Sequence, residues 1–580
     1  MPLNDWKPIK LSAKVFGHIS QGLYRTPAGA IKELISNSFD ADASVTKIHT
    51  GFPYFDTFSC EDDGRGMSLD EFQRLMEHGI GTSYKRTLDN AITEIYNRPI
   101  IGRLGIGILS LAQICTQFEI ISHHKESKTA FKATIQFPPY TKQDMDKILQ
   151  KKEEAEKEEL LVQGGQYRLE KINYQPEKAG VKIFTKFLRE SFRKRMKNLS
   201  NYGNKISTEP YKTFEKFMNA VYGIKQKTRS LNLLSDYDQL IFGLALAAPL
   251  PYFEGGQGNI TLQMPFLRDY KKILTNYKFD VEVDNLTLAR PIYLPSNREG
   301  RTAQVCRLGK PSAKEFILRD GPHKEKTKVM QYPINMEGAD EQFSLYELSY
   351  FNKNVSGRPL EFSGYLFQQT GRLYPRDIQG ILVRLRNVAI GSYDADIMTY
   401  PYAEGPRYSM VSLELFVQSG FEDALNIDRD SFNGLDPHYI RTRTFVHSLL
   451  HEVIFPETWT EEKARNKQRR EKLASERESS FIKALSKTTK EAYARIEHTE
   501  TKQRGAASRS DLPPIHFDRV AKTIEIDKAH PSIQKILRRK KHAQLAEQIL
   551  IAFERANREP NEARRREVFY KLLGDIFSGM

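Results

Sequence analysis

Cysteine is scarce in this chain. Its 580 residues include 3 cysteines, Cys60, Cys115 and Cys306, which lie far apart and show no Cys-x-x-Cys spacing. An odd and scattered set of this kind indicates neither a disulfide framework nor a structural zinc site, so we expect unreactive thiols.

Long apolar runs are also missing. A membrane-spanning helix needs roughly 20 consecutive apolar residues, and no stretch of the chain comes near this length, since charged residues make up 28% of it. The first residues are polar and lack the apolar core of a secretion signal. The sequence therefore predicts a cytoplasmic protein with no membrane partner.

Apolar residues are nevertheless frequent enough to build real cores. Hydrophobic residues reach 39% of the chain and aromatic residues 11%, which excludes a largely disordered protein. One hydrophobic core rarely organises a chain of this length, so about three or four domains are expected.

Positive charge is concentrated towards one end. The net charge is +15, and residues 461–580 hold 28 Lys and Arg against 18 Asp and Glu, an excess of ten. The basic clusters lie at 467–472, 538–541 and 564–566. A clustered positive surface attracts polyanions, whereas interleaved acidic residues suit an ordinary solvated helix face. Both interpretations remain open.

The residue pattern divides the chain into four stretches. Residues 1–190 mix short apolar runs, glycine-rich turns and amphipathic segments, which indicates an α/β domain. The other three stretches are a basic connector at 191–239, a second, strand-rich α/β domain at 240–455, and a basic, mainly helical region at 456–580 with a polar linker near 499–514.

Local signals predict individual elements. The pair Thr26-Pro27 starts a helix that reaches Phe39. Strands are predicted over 45–50, 57–61, 380–386 and 413–417.

The first of three motifs lies on this predicted helix. Glu33, Asn37 and Asp40 share one helix face because they are four and then three residues apart. Glu33 can accept a proton from water, and Asn37 offers a neutral oxygen to a Mg²⁺ ion that also bridges phosphates. Taken alone, the pattern fits an ordinary amphipathic helix better.

The second motif follows a predicted strand and has the sequence DDGRGM over 62–67. Its two alternate glycines permit a tight turn and the close approach of a flat ligand. A carboxylate at the strand end can accept a hydrogen bond from an exocyclic amine. Ordinary Asp-Gly turns share this pattern.

The third motif has the sequence IGRLGIGILS over 101–110 and leads into a short apolar helix. Glycines before a helix leave backbone N–H groups free to hold phosphates. The chain has neither a Gly-x-x-x-x-Gly-Lys-Ser/Thr loop nor a Gly-x-Gly-x-x-Gly dinucleotide turn.

In this order and spacing the three motifs resemble the N, G1 and G2 motifs of the GHKL ATPases, the superfamily of gyrase, the heat-shock-ninety chaperones, histidine kinases and MutL. The resemblance is firm over 1–190 and implies a Bergerat-type α/β sandwich with ATP between a mixed sheet and helices. It makes 1–190 an ATPase domain, 240–455 a middle or transducer-like domain, and ATP and Mg²⁺ the ligands.

The resemblance also implies roles for single residues. Glu33 would be the catalytic base and Asn37 the Mg²⁺ ligand, while Asp62 would accept from the adenine amine. Val181 stands where the family often has a threonine near that carboxylate. The full ATP-binding set that the resemblance implies is Asn37, Asp40, Asp62, Gly66, Met67, the lid residue Lys85, Gly105, Gly107 and Ile108.

The second domain contains VQSGFEDALNIDRD over 417–430. This segment is similar to the chaperone middle-domain run that presents an arginine to the γ-phosphate, which makes Arg429 a candidate catalytic arginine. A salt bridge to a neighbouring aspartate is the ordinary alternative. A weaker candidate, Gln369 to Arg372, resembles the gyrase Gln-Thr-Lys loop but lacks the lysine.

Two classes of function remain open. An N-terminal ATPase disfavours a histidine kinase, the 125 residues of 456–580 leave no room for topoisomerase domains, and the nuclease motif of some MutL proteins is missing. The first class is a heat-shock-ninety-like clamp that hydrolyses ATP and acts on a client. The alternative is a MutL-like or microrchidia-like (MORC) nucleic-acid clamp that works with a separate nuclease. Both imply a homodimer, with a protein client or nucleic acid bound through the basic C-terminal region.

Overall fold

The structure is a computed structural model that divides into two compact units, Met1–Thr458 and Trp459–Met580, and each is described by itself. The described residues are 5–12, 27–77, 92–102, 107–126, 130–137, 161–172, 178–197, 210–222, 230–253, 265–291, 306–320, 323–336, 343–373, 376–426, 430–499, 514–538 and 543–578.

The first unit contains a nine-stranded sheet. Its strands are β1 Lys7–Ser12, β2 Val45–His49, β3 Phe58–Asp62, β4 Cys115–His123, β5 Ala130–Gln136, β6 Leu161–Lys171, β7 Gly180–Leu188, β8 Asp280–Val283 and β9 Leu286–Thr287. Their spatial order is β1-β6-β5-β4-β7-β3-β2-β8-β9, and every pair is antiparallel except β2 with β8. The strands predicted over 45–50 and 57–61 are confirmed as β2 and β3.

Helices pack against this sheet. They are α1 Pro27–Asp40, α2 Leu69–Glu77, α3 Glu190–Met196, α4 Phe214–Tyr222 and α5 Asp236–Ala247, with 3-10 helices at Gly107–Gln113 and Leu231–Leu233. Helix α1 confirms the predicted helix: Pro27 is its first residue, and Ile31, Ile35 and Phe39 recur at helical spacing and are fully buried. Helix α1 is also buried on its polar side, where Lys32 and Glu33 are 4% and 3% exposed.

The nine-stranded sheet includes residues far beyond 190. Strands β8 and β9 lie at its edge, and the buried Asp284 between them accepts hydrogen bonds from Thr50 N (2.9 Å), Thr50 Oγ1 (2.7 Å) and Tyr237 OH (2.8 Å). The buried Arg98 donates to the carbonyls of Phe39 (3.0 Å) and Tyr277 (2.6 Å). Strands β8 and β9 thus lie within the range assigned to the second domain, and the domain boundaries remain predictions.

The second sheet of this unit follows helix α6, Pro265–Asn276. Its strands are β10 Cys306–Leu308, β11 Ser312–Asp320, β12 His323–Met336, β13 Phe343–Val355, β14 Arg358–Gln369, β15 Gly380–Leu385, β16 Val388–Asp394 and β17 Val411–Ser419, in the order β10-β12-β13-β14-β17-β15-β16 with β11 paired to β12. Helix α7, Pro437–Leu449, buries Phe445, Val446 and Leu449 in the same core as β17. The strands predicted over 380–386 and 413–417 are confirmed as β15 and β17, which run parallel.

A buried polar cluster on the second sheet includes Tyr252, which precedes that sheet in the chain. Arg384 on β15 contacts Glu414 on β17 at 2.9 Å, and Tyr252 OH and Tyr365 OH each donate to the same carboxylate at 2.9 Å. Burial by itself would raise the pKa of Glu414, but the attraction of the arginines outweighs burial and the pKa lies below its ordinary value. Because Tyr252 follows α5 in the chain, this cluster holds the segment after α5 against the second sheet.

The second unit begins within helix α8, Phe455–Thr489, which a π-helical turn at Leu450–Ile454 precedes. It contains strands β18 Arg495–Thr499, β19 Ile515–Asp518 and β20 Thr523–Asp527, and helices α9 Pro531–Arg538, α10 Ala543–Asn557 and α11 Glu562–Ser578. The three strands form a small sheet in the order β18-β20-β19, which the pattern of a mainly helical region did not reveal. Most of the linker predicted near 499–514 lies outside the described residues.

Two further expectations concern thiols and membranes. Cys60 and Cys115 are buried free cysteines, and burial raises the pKa of both thiols, that of Cys115 to about 12, so both are unreactive as expected. Across the described ranges, no helix combines the length and apolar character that a membrane crossing requires.

Candidate active site

The first and third motifs meet directly. Asp40, at the end of α1, accepts hydrogen bonds from Ile101 N (2.7 Å) and Gly102 N (2.5 Å). A Cβ atom on Gly102 would come within 2.8 Å of Asp40 Oδ2, and one on Gly107 within 2.7 Å of Asn37 Nδ2. A side chain at either glycine would therefore displace the Asp40 carboxylate or the Asn37 amide from its position.

The residues after Gly107 form a 3-10 helix rather than the predicted apolar α-helix. The Ser110 hydroxyl donates to the carbonyl of Ala30 at 2.9 Å, which fastens this segment to α1. Ile108 is half-buried and packs against the main core of the first unit. Gly105 lies outside the described residues.

Asp62 is the last residue of β3 and lies in the middle of the nine-stranded sheet. Its carboxylate accepts hydrogen bonds from Ser38 Oγ (3.1 Å) and Gly64 N (3.0 Å). Burial raises the pKa of Asp62 to about 6, although both hydrogen bonds favour the ionised form. The carboxylate is thus ionised at neutral pH but only by a small margin.

The second motif forms a turn that packs closely against backbone carbonyls and a side-chain hydroxyl. Arg65 N donates to the carbonyl of Ala41 at 2.8 Å. Gly66 has a φ of +69°, and a Cβ atom there would lie 2.1 Å from the carbonyl oxygen of His123. Met67 N donates to Ser122 Oγ at 2.8 Å. Only glycine fits at position 66, and the turn is fixed beside Asp62.

Two serines complete this part of the site, and the sequence motifs did not reveal them. Val181 pairs with Asp62 across β7 and β3, so the family's threonine position carries no hydroxyl. The hydroxyl that reaches Asp62 comes from Ser38 on α1 instead. Ser38 lies four residues after the buried Leu34, so helical spacing could have indicated that its hydroxyl lies on the same buried side of α1. Ser122 gives no such signal, because its position depends on the register of β4 with β7.

Glu33 faces the second sheet across a small cavity. The cavity has a volume of about 40 Å³, which exceeds the ~10–15 Å³ that one water molecule needs. Its walls are formed by Lys32, Glu33, Ser36 and Ile101 on one side and by Leu385, Arg386, Val388, Ile390, Glu422 and Leu425 on the other. The carboxylate proposed as catalytic base therefore lies between the two layers.

Arg386 is a further residue at this junction that the motifs did not reveal. It follows β15 in a two-residue turn with Asn387, and both residues have positive φ angles. Its guanidinium donates to the carbonyl of Ile100, next to the third motif, and lies 3.6 Å from Glu422. The second sheet thus contacts the start of the glycine-rich segment.

Lys85 and Arg429 lie outside the described residues. The residue after Arg429 is described: Asp430 Oδ1 lies 2.8 Å from Lys32 Nζ. Within the described residues, no group of three or more His, Cys, Asp or Glu side chains could hold a metal ion.

Comparison with known proteins agrees with this architecture. Residues 24–164 match the family of histidine kinase-, DNA gyrase B- and HSP90-like ATPases, so the N-terminal region is a GHKL-type ATPase domain of α/β fold, as the three motifs predict.

Two curated proteins are similar to part of the chain. The DNA mismatch repair protein MutL of Anaplasma phagocytophilum (strain HZ) is 26% identical over 129 residues, which cover 22% of this chain and 19% of that protein. A putative type II restriction enzyme, HgiDII of Herpetosiphon aurantiacus, is 30% identical over 114 residues, which cover 20% and 18%. The chain thus spans about a fifth of the length of each of these relatives.

A methyl group at Gly107 should displace the Asn37 amide. We expect Gly107→Ala to lower ATP affinity at least tenfold while the protein stays folded, because the contact at 2.7 Å is to a side chain that can turn away. Isothermal titration with a non-hydrolysable ATP analogue measures this effect. Gly434→Ala is the control, since nothing lies within 4 Å of its Cβ position, and equal affinity of both variants would contradict the contact.

The raised pKa of Asp62 predicts a pH dependence. ATP affinity should fall as the pH drops below about 6, because the protonated carboxyl no longer accepts well from the adenine amine. A raised carboxyl pKa favours the folded state at low pH, and this advantage is lost as the pH rises through about 6.

Asp62→Asn should therefore abolish ATP binding yet raise the free energy of unfolding of the nucleotide-free protein above pH 7. The upper limit is about 3 kcal/mol, at about 1.4 kcal/mol per pKa unit. The amide fits because Ser38 Oγ, which also donates to the carbonyl of Leu34 at 3.1 Å, can turn to accept from it. Urea denaturation at pH 5 and pH 8 tests this, and a variant that still binds ATP would remove Asp62 from the site.

Proposed function

We propose that this protein is a Mg²⁺-dependent ATPase that hydrolyses ATP with residues from both layers of its first unit, and that ATP binding closes a clamp which hydrolysis reopens. The observation that supports this most directly is the position of Glu33. It is 3% exposed on α1, beside a cavity whose opposite wall comes from the second sheet.

Nucleotide binding uses the three motifs. Asp62 accepts from the adenine amine, and the turn around Gly66 and Met67 borders the base. The exposed side chain of Asn37 suits a Mg²⁺ ion that takes its other ligands from phosphates and water. Mg²⁺, when bound, neutralises phosphate charge. Gly105 and Gly107 follow the phosphates.

Hydrolysis then needs a base and a stabilised transition state. Glu33 takes a proton from the attacking water while the water oxygen bonds to the γ-phosphorus and the bond from this phosphorus to the β,γ-bridging oxygen breaks. The products are ADP and phosphate. Arg429, one residue from Asp430, stabilises the negative charge that develops. Burial of Glu33 keeps bulk water away from this step.

A conformational cycle follows from the same parts. The lid segment with Lys85 folds over bound ATP, and closure lets two subunits meet as a homodimer. Hydrolysis and product release reopen the dimer. ATP binding and hydrolysis thus control when the dimer closes and opens, while other parts of the chain bind the captured partner.

Glu33→Ala should bind ATP but hydrolyse it about 10²–10⁴-fold more slowly, because one general base is lost while the contacts of Asn37 and Asp62 remain. A steady-state phosphate-release assay combined with titration of ATP binding separates the two effects. Glu315→Ala, an exposed glutamate of β11, is the matched control. Hydrolysis by Glu33→Ala at the native rate would refute the role of the first motif.

The second half of the proposal concerns the captured partner, for which nucleic acid is favoured over a protein client. The two relatives are a DNA mismatch repair protein and a putative restriction enzyme. The basic region 461–580 carries an excess of ten positive charges. Part of this charge is compensated, since Arg564 and Arg566 form exposed ion pairs with Glu567 and Glu562. For phosphate contacts we propose the basic run 538–541 of the sequence, of which 539–541 lie outside the described residues.

A nucleic-acid clamp should retain DNA in a salt-dependent way when ATP is bound. Neutralising Arg538, Arg539, Lys540 and Lys541 should flatten the slope of log affinity against log salt, since each phosphate contact contributes about 0.9. Filter binding with Glu33→Ala and ATP at several salt concentrations measures this.

The matched control for that experiment neutralises three exposed lysines of β12: Lys324, Lys326 and Lys328. A closed clamp also predicts stronger retention of longer DNA. If no DNA of any length is retained, the nucleic-acid clamp is wrong and the protein-client form of the proposal remains.

A further inference from the structure

The backbone at the start of the third motif is held from both layers of the first unit. On one side, Asp40 of α1 accepts hydrogen bonds from Ile101 N at 2.7 Å and Gly102 N at 2.5 Å. On the other side, the carbonyl of Ile100 accepts a hydrogen bond from the guanidinium of Arg386, which follows β15 in the second sheet. Arg386 therefore binds the residue directly before those that Asp40 holds.

The turn that carries Arg386 is itself anchored. Arg386 and Asn387 have φ angles of +53° and +72°, a conformation that costs free energy for residues other than glycine. The side chain of Asn387 accepts a hydrogen bond from Tyr270 OH and donates one to Tyr277 OH at 3.3 Å. Its carbonyl accepts a hydrogen bond from the fully buried Arg290 at 3.2 Å. The backbone from which the Arg386 side chain extends is thus fixed by the surrounding structure.

The chain that leads to Ile100 is fixed as well, but by the first layer. Arg98 is fully buried and donates a hydrogen bond to the carbonyl of Phe39 in the last turn of α1, at 3.0 Å. Asp42, which follows α1, accepts a hydrogen bond from Ile95 N at 2.9 Å. Because each side of the contact between Arg386 and Ile100 is anchored in its own layer, a shift of one layer against the other strains this contact.

The charge of Arg386 makes this contact costly to break. Its side chain is 11% exposed, and Arg386 Nη2 lies 3.6 Å from Oε1 of Glu422, which is 16% exposed. A guanidinium buried to this extent needs acceptors, and here the Glu422 carboxylate and a backbone carbonyl supply them. Hydrogen bonds from a charged donor are roughly twice as strong as those between neutral groups. Arg386 therefore opposes any displacement of residues 100–102.

The position of residues 100–102 bears on the proposed nucleotide site through Asp40. A Cβ atom on Gly102 would lie 2.8 Å from Asp40 Oδ2, so backbone and carboxylate are in close contact. Asp40 lies one helical turn after Asn37, the proposed Mg²⁺ ligand. A displacement of this backbone would therefore move the Asp40 carboxylate within the proposed ATP-binding set.

We propose that Arg386 is a positioning residue for nucleotide binding, which holds residues 100–102 on Asp40 and so makes the ATP affinity of the first layer depend on the second sheet. Arg386 acts through the carbonyl of Ile100 and is not itself a nucleotide ligand. This inference rests on the proposed ATPase function. It gives a role to a residue outside the three motifs and outside residues 24–164, which match the family. Thermodynamic linkage requires the reverse effect, so bound nucleotide stabilises the contact between Arg386 and Ile100.

Arg386→Met in the full chain tests the affinity. The Kd of a non-hydrolysable ATP analogue, measured by isothermal titration, should rise about tenfold, the size of effect expected from one lost hydrogen bond to a charged group. In steady-state assays, KM should rise by a larger factor than kcat falls. Arg386→Lys should raise Kd only about threefold, because an ammonium group keeps the charge but lacks the planar fork that reaches two acceptors.

Hydrogen exchange separates positioning from a general loss of stability. In nucleotide-free Arg386→Met, peptides that cover Ile101 and Gly102 should exchange faster than in the native protein, while peptides from β4 and β7 should not. In the native protein, the ATP analogue should slow exchange in the turn at 385–388. In Arg386→Met this effect of the nucleotide should be lost, because the contact that links the turn to Ile100 is missing.

Arg407→Met is the matched control. Arg407 is also a buried arginine of the first unit, and it likewise binds one carbonyl and one carboxylate, both of Glu404, at 2.9 Å and 3.3 Å. Its loss therefore reports the cost of removing a buried arginine whose contacts are local in the chain. Thermal unfolding checks that the variants are folded. If Arg386→Met does not fold, the comparison of Arg386→Lys with Arg407→Lys decides the outcome.

Three outcomes would overturn the role of Arg386. These are native affinity in the folded variant, an equal loss of affinity in the matched Arg407 variant, or native exchange at Ile101 and Gly102. Each leaves the proposed function standing as long as the native protein hydrolyses ATP and Glu33→Ala does not. A native protein that neither binds nor hydrolyses ATP would instead refute the proposed function, and the role of Arg386 with it.

Discussion

The burial of α1 between two sheets is the constraint on which the rest of the structure depends. Its apolar residues Ile31, Ile35 and Phe39 pack on the nine-stranded sheet, yet Lys32 and Glu33 on the polar side are almost as deeply buried. Charged groups in such a position need partners or water. Lys32 pairs with Asp430, which follows β17 in the chain, and Glu33 lies beside a cavity that second-sheet residues also line, so the polar side of α1 is a junction between layers.

Docking of the two layers is itself polar. The contact of Arg386 with the carbonyl of Ile100 and the Lys32–Asp430 ion pair place charged groups at the boundary. A buried polar group that loses its partner costs free energy, so such contacts favour one arrangement of the layers over a sliding contact. The sheets therefore meet in a defined register, which an active site shared between them requires.

The nucleotide side of the site is shaped by lack of space. Gly66 is needed because the carbonyl oxygen of His123 already lies where a Cβ atom would be, and a Cβ atom at Gly107 would displace the amide of Asn37. Asp62 shows the opposite compromise, since burial raises its pKa to about 6 and so weakens the ionised form that binding requires. At such a site, the residue that recognises the ligand lowers the stability of the nucleotide-free protein.

Local pattern was sufficient to predict α1, strands β2, β3, β15 and β17, and the grouping of Glu33, Asn37 and Asp40 on one helix face. These features depend on residues a few positions apart, where helical and strand periodicity apply directly. Tertiary structure alone decided that β8 and β9 complete the first sheet, that Ser38 supplies the hydroxyl beside Asp62, and that Lys32 meets Asp430. That last pair is 398 residues apart in the chain, and no local propensity encodes such a contact. It exists because two separately formed layers bury the same helix and must satisfy its charges.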